Sequence, residues 1–160
     1  MAVPAGPIHA IPDVQVPPGT SGDVRAVFDH WTALKRGRAM PPRADIDPLD
    51  LAPYLPGIML VDVVDDSRRY VYRLVGTREV AMRGNDPTGR AVAEGYFAPT
   101  ADAAIASFQD VVDRRAPRFE NRRFIAADGR VGDEECVILP LSNDGSRVNM
   151  LLVYTHHRMA

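Results

Sequence analysis

Two stretches of the chain, "IMLVDVV" at residues 58–64 and "VNMLLVY" at 148–154, are apolar at odd and even positions alike. Successive side chains of a strand point to opposite faces of its sheet, so strands of this kind must be covered on both. A sheet with one face in water is thereby excluded. Other parts of the chain, or a second subunit, have to supply two layers of cover.

The cover is recognisable by its period. Between Ser21 and Arg38, the residues Val24, Val27, Phe28, Trp31 and Leu34 recur at helical spacing and form one apolar stripe, which Gly37 and Pro41 bring to an end. Thr77 can cap a short helix reaching Arg83, and a longer helix from about Pro99 to Arg115 carries Ile105, Phe108, Val111 and Val112 on one side. The connection "PPRADIDPLDLAPYLPG" is too rich in proline for more than a turn or two of helix, which Asp47 can cap ahead of Pro48.

Strand signals fall into two groups. The first is a hairpin of residues 58–64 and 69–75 around the polar turn Asp65, Asp66, Ser67 and Arg68. The second comprises 118–126, 133–142 and 147–155, joined by the turns "ADGR" and "NDGS". The order predicts an α+β fold, a five-stranded antiparallel sheet with a helical crossover on one face and an N-terminal helix for the other. Gly76, Gly84 and Gly89 lie between the two groups. They lack the G-x-G-x-x-G spacing of a dinucleotide loop and read as turn punctuation.

Composition narrows the function. A chain of 160 residues fits one domain and can bury roughly 70% of its unfolded surface without metal or disulfide staples. A formal charge of −2 provides no field to attract nucleic acid or an anionic membrane. No apolar run approaches the ~20 residues of a membrane helix, and the N-terminus lacks the pattern of a signal peptide, so a soluble cytoplasmic protein is expected. Residues 1–20 carry five prolines and two glycines and predict a flexible arm ahead of a single domain at 21–158. Cys136, alone in an apolar run, cannot form an intramolecular disulfide and reads as a small buried hydrophobe. His156 and His157 are neighbours on a strand and point to opposite faces, while His9 and His30 add no metal-ligand spacing; no metal site is expected.

Taken together, the element order resembles that of a PAS domain. The detail is similar to a stand-alone PAS subfamily common in alphaproteobacteria: a first helix with Trp31, then Arg36 and Gly37, the segment "PPRADIDP" with Pro42, Arg43, Asp45, Asp47 and Pro48, Leu55 and Pro56, and "YRLVGT" at 72–77 followed by "GND" and "TG". The resemblance runs from about residue 24 to 156. It implies a bacterial sensory or regulatory module that binds a small ligand, a partner protein or both, without specifying a cofactor. Flavin-binding photosensors of the family carry a reactive cysteine in an Asn-Cys-Arg-Phe run, where this chain has "GNDPTGR"; haem-binding relatives use a late crossover histidine, and 99–115 has none.

Candidate ligand contacts follow from strand phase. Arg73 shares a face with Val71 and Val75, so its guanidinium has to find acceptors near apolar surface. Pairing through the 65–68 turn sets Leu60 opposite Arg73 and Asp62 opposite Val71, which leaves two readings: an internal pair with Asp62, or a clamp on a ligand's carboxylate or phosphate. Asn121 and Arg123 share a face with Phe119 and Ile125 and either line an apolar cleft or belong to an exposed Arg-rich face. Tyr96, with Phe97, could wall the same cleft or serve as a core aromatic. Phe28 and Trp31 are too large to leave in water and predict a homodimer through the first helix. With no kinase, cyclase or DNA-binding segment in the sequence, output is expected in trans, through a signalling partner. Two alternatives are a small cone-fold enzyme acting on an apolar substrate, with Asp62 as its internal carboxylate, and a ligand-free interaction domain.

Overall fold

The computed structural model describes residues 14–95 and 101–159. Most of the expected arm, and with it His9, lies outside the described residues, as do Tyr96 and Phe97; residues 14–20 contain no helix or strand. Five strands, β1 (Ile58–Val63), β2 (Tyr70–Val75), β3 (Arg118–Ile125), β4 (Val131–Leu141) and β5 (Met150–Met159), form one sheet in the order β2-β1-β5-β4-β3. Every neighbouring pair is antiparallel. Three helices flank it, α1 (Gly22–Leu34), α2 (Thr77–Arg83) and α3 (Ala101–Arg114). The doubly apolar β1 and β5 are adjacent central strands, which explains why neither face of them is wet.

The N-terminal helix covers the outer face. Ser21 caps it, its side chain accepting from the Val24 amide at 3.3 Å, while the Ser21 amide donates to Glu135 of β4 at 3.0 Å. Trp31 donates from Nε1 to the Pro140 carbonyl at 2.9 Å, and Phe28 meets Phe119 edge to face with centroids 5.1 Å apart. Both are thus buried against their own sheet, at 8% and 4% exposure for Phe28 and Trp31. The expected homodimer rested on these two rings being exposed, and that ground is removed. Burying side chains of this size contributes about 1.5–3 kcal/mol each to the fold itself.

The β1/β2 register departs from the simple hairpin. Asp62 lies opposite Val71 as expected, but Val61 faces Tyr72 and Leu60 faces Leu74, with the ladder shifting between Leu60 and Val61. Arg73 is the extra residue of this bulge. Its side chain is 69% exposed and its nearest carboxylate, Asp62, is 3.8 Å away. Of its two expected roles the structure shows the pair with Asp62, made at long range by a guanidinium that is largely in solvent.

Of the glycines, Gly84 ends α2 in the left-handed region at φ 81°. Gly76 has an ordinary φ of −63° and is needed for another reason: a methyl group there would overlap the carbonyl oxygens of Leu55 and Pro56. This close approach seats the run of 3₁₀ turns Pro48–Gly57 against the start of α2. Asp47 caps that run by accepting from the Leu49 amide at 3.0 Å, as expected.

Candidate functional site

Between the inner face of the sheet and the crossover lies a cavity lined by Met59, Tyr72, Arg122, Glu134, Cys136 and Thr155 from the strands and by Arg83 and Phe108 from the helices. Its free space is about 40 Å³, room for one or a few water-sized groups. The wall facing α2 is charged. Glu79, on the α2 side turned to the sheet, has no exposed surface, and Glu134 on β4 has almost none.

Burial of a carboxylate demands partners. Glu79 Oε1 accepts from the Thr155 hydroxyl and lies 2.9 Å from His157 Nε2, both on β5; Oε2 accepts from Arg83 Nε at 3.4 Å. Arg83 Nη2 reaches Glu134 at 3.5 Å, and its guanidinium lies 5.3 Å from the centre of the Phe124 ring. Phe124 in turn packs on the His157 imidazole, centroids 4.6 Å apart. Burial alone would push the Glu79 carboxyl up. The hydrogen bond from His157, the charges of Arg83 and His157, and the Thr155 hydroxyl outweigh it and hold that carboxyl below its ordinary value. A positioned Nε2–H on His157 leaves its buried Nδ1 without a partner among the described residues.

A second charged group closes the α3 side. Glu120 of β3 accepts from Arg118 at 2.6 Å, from Arg122 at 2.5 Å and from the Ser107 hydroxyl of α3. Burial works against the Arg122 charge, but Cys136, Glu134 and Glu120 more than restore it and raise its pKa. The Cys136 thiol is pushed far up by burial, with Glu134 adding to the effect, so it is a poor nucleophile.

On β3 the exposed Arg-rich face, one of the two readings for Asn121 and Arg123, is the one that forms. Asn121 and Arg123 are exposed, and with Phe119 they belong to the outer side of β3; Glu120, Arg122 and Phe124 point inward. Neither Arg73, Asn121 nor Arg123 lines the cavity. Tyr96 is outside the described residues. The signal that could have found Glu79 was its place on a short helix beside a doubly covered sheet, together with the strand position of His157. His156 and His157 do face opposite sides, His156 standing 3.5 Å from Asp23 of α1. Among the described residues no cluster of potential metal ligands occurs.

The strand order and the helical crossover define an α+β module, a five-stranded antiparallel sheet flanked by helices. The family model for the PAS domain matches residues 20–154, and the chain belongs to the PAS domain family. Solved structures agree on the fold. A light-oxygen-voltage domain studied with a flavin analogue is 14% identical, with a TM-score of 0.53 over 72% of this chain and 87% of that one. The PAS domain of a protein from Colwellia psychrerythraea is 12% identical, with a TM-score of 0.51 over 70% and 98%. Vibrio cholerae VqmA, described as a dimer and a LuxR-type receptor, is 14% identical with a TM-score of 0.56; the match covers 69% of this chain and 49% of that protein. No curated sequence matches. Among the described residues no helix is long and apolar enough to cross a membrane.

The inner cavity does not fit a flavin. Its space is small and charged, and the chain's single thiol, on β4, is held protonated by its surroundings.

Proposed function

We propose that the chain is a sensory PAS module without catalytic activity of its own, whose response starts at the inner cavity and is passed in trans to a signalling protein. The observation that carries this reading is the fully buried Glu79 of α2, tied to Thr155 and His157 of β5 and to Arg83. Whatever enters the cavity beside Arg83, Arg122 and Glu134 competes for the same charges and so alters how α2 sits on the sheet. A small, polar, charged or strongly hydrogen-bonding ligand suits such a lining. Catalysis is disfavoured by the same chemistry: a carboxylate kept ionised by its partners is a weak base, and a thiol kept protonated is a weak nucleophile.

Self-association through α1 would rest on its exposed side, which includes Asp23, Arg25, Asp29, Thr32 and Ala33 and is a poor basis for a stable dimer. The reading therefore assigns output to contact with a different protein. The small free volume favours, as a second reading, an interaction domain with no ligand at all. Native mass spectrometry of freshly purified protein separates the two. Sensing of a ligand requires a retained adduct that is lost in Arg122→Met, whereas a bare mass under all conditions would leave the interaction domain.

A further inference from the structure

The outer face of the sheet is not wholly covered. α1 packs over β4 and β5, and beyond it a groove of about 340 Å³ opens between the Pro48–Gly57 run and the β2 edge, lined by Ile46, Leu51, Leu55, Leu60, Leu74 and Leu152. Leu74 and Leu55 are 43% and 37% exposed, so leucine surface faces water here. The volume lies in the range of small-molecule pockets, about 300–1,000 Å³, which are mainly apolar with a few polar groups that fix orientation.

One charged residue lines this groove, Arg43. Its Nη1 donates to the Ile46 carbonyl at 3.1 Å, which fixes the guanidinium and leaves further N–H groups unspent. The nearby carboxylates are engaged elsewhere: Asp45 with Arg38 at 2.5 Å, and Asp47 with the Leu49 amide. Among the described residues no carboxylate pairs with Arg43. An apolar trough with a single oriented cation lacks an anion that carries an aliphatic body.

We propose that this groove is a second binding site, separate from the inner cavity and on the opposite face of the sheet, for an aliphatic carboxylate of medium chain length. The hydrocarbon lies along Leu51, Leu60, Leu74 and Leu152, and the carboxylate is held by Arg43 in the planar two-bond geometry that guanidinium favours. Because the groove borders Gly76 and Thr77, where α2 begins, the occupant touches the same helix that the inner charge cluster holds from the other side.

The test is an amide NMR titration of the full chain with sodium decanoate below its micelle concentration, with decanol as the uncharged counterpart. The expected result is saturable shifts confined to residues 43–60, 74–77 and 152, with decanol at least about tenfold weaker because it forfeits charge-assisted bonds. Arg43→Gln is expected to weaken decanoate by a similar factor and leave decanol unchanged. Leu74→Glu, at an exposed position that the fold tolerates, is expected to remove binding of both. Absence of saturation, equal affinity for the two ligands, or shifts centred on Cys136 and Val153 would overturn the proposal. So would a doubling of mass with concentration that Leu74→Glu abolishes, which would assign the groove to a second copy of the chain.

Discussion

Glu79 Oε1 and His157 Nε2 stand 2.9 Å apart, joining the middle of α2 to the C-terminal part of β5. The crossover is thereby tied to the sheet through a buried carboxylate that also forms an ion pair with Arg83 at 3.4 Å and carries the Thr155 hydroxyl on the same oxygen as the imidazole. Removing one member of such a pair leaves the other uncompensated and costs about 3–5 kcal/mol. Glu79→Ala is expected to lower stability by about that much in urea denaturation.

The same carboxylate sets a pH dependence. Its folded pKa lies below its unfolded value, so its contribution is complete above the ordinary carboxylate range, about 4.3, and is lost as pH falls through the lower folded value. Wild type should therefore lose stability on acidification more steeply than Glu79→Gln. Parallel curves of urea midpoint against pH would count against this.

Trp31 spans the outer layer, its indole filling the space over β4 while Nε1 holds the Pro140 carbonyl. Trp31→Ala is expected to cost about 3–5 kcal/mol, and Trp31→Phe about 1–2 kcal/mol for the carbonyl left without its donor. Light scattering should show the same mass for wild type and Trp31→Phe, since the ring is committed to its own chain.

Arg73 offers the opposite case. Exposed on a bulge with a carboxylate no nearer than 3.8 Å, it adds little. Arg73→Met should change stability by no more than about 0.5 kcal/mol in either direction and leave the response to any cavity ligand intact.

Gly76→Ala is expected to destabilise by about 1–3 kcal/mol despite its ordinary backbone angles, because the added methyl has only the Leu55 and Pro56 carbonyls to displace. Gly89, at φ 85° with open space around its Cβ position, would show a cost of a different origin, in backbone conformation alone. Thermal denaturation of the two alanine variants measures both.

The fold was largely legible because its strongest features are periodic. The stripe from Val24 to Leu34 became α1, Thr77–Arg83 became α2, and the doubly apolar runs became the central strands β1 and β5. The site was much less so. A single bulge between Leu60 and Val61 reverses the phase of β2 beyond it, and nothing in "YVYRLV" marks that reversal. In "RFENRRF" the alternation leaves both phases open for Asn121 and Arg123; Glu120 and Arg122 take the inward one, because their charges satisfy one another and the hydroxyl of Ser107. Pairing of this kind spans α3, β3 and β4, and periodicity within one segment carries no trace of it. The apolar run of the last strand ends near Tyr154, and nothing in the polar residues that continue β5 to Met159 marks His157 as the partner of a carboxylate on α2.

A double-mutant cycle between Glu79→Gln and His157→Leu, read by urea denaturation at neutral pH, tests most directly whether the cavity's charges hold α2 to the sheet. A coupling energy of about 1–3 kcal/mol is expected. Additivity of the two substitutions within about 0.3 kcal/mol would contradict it.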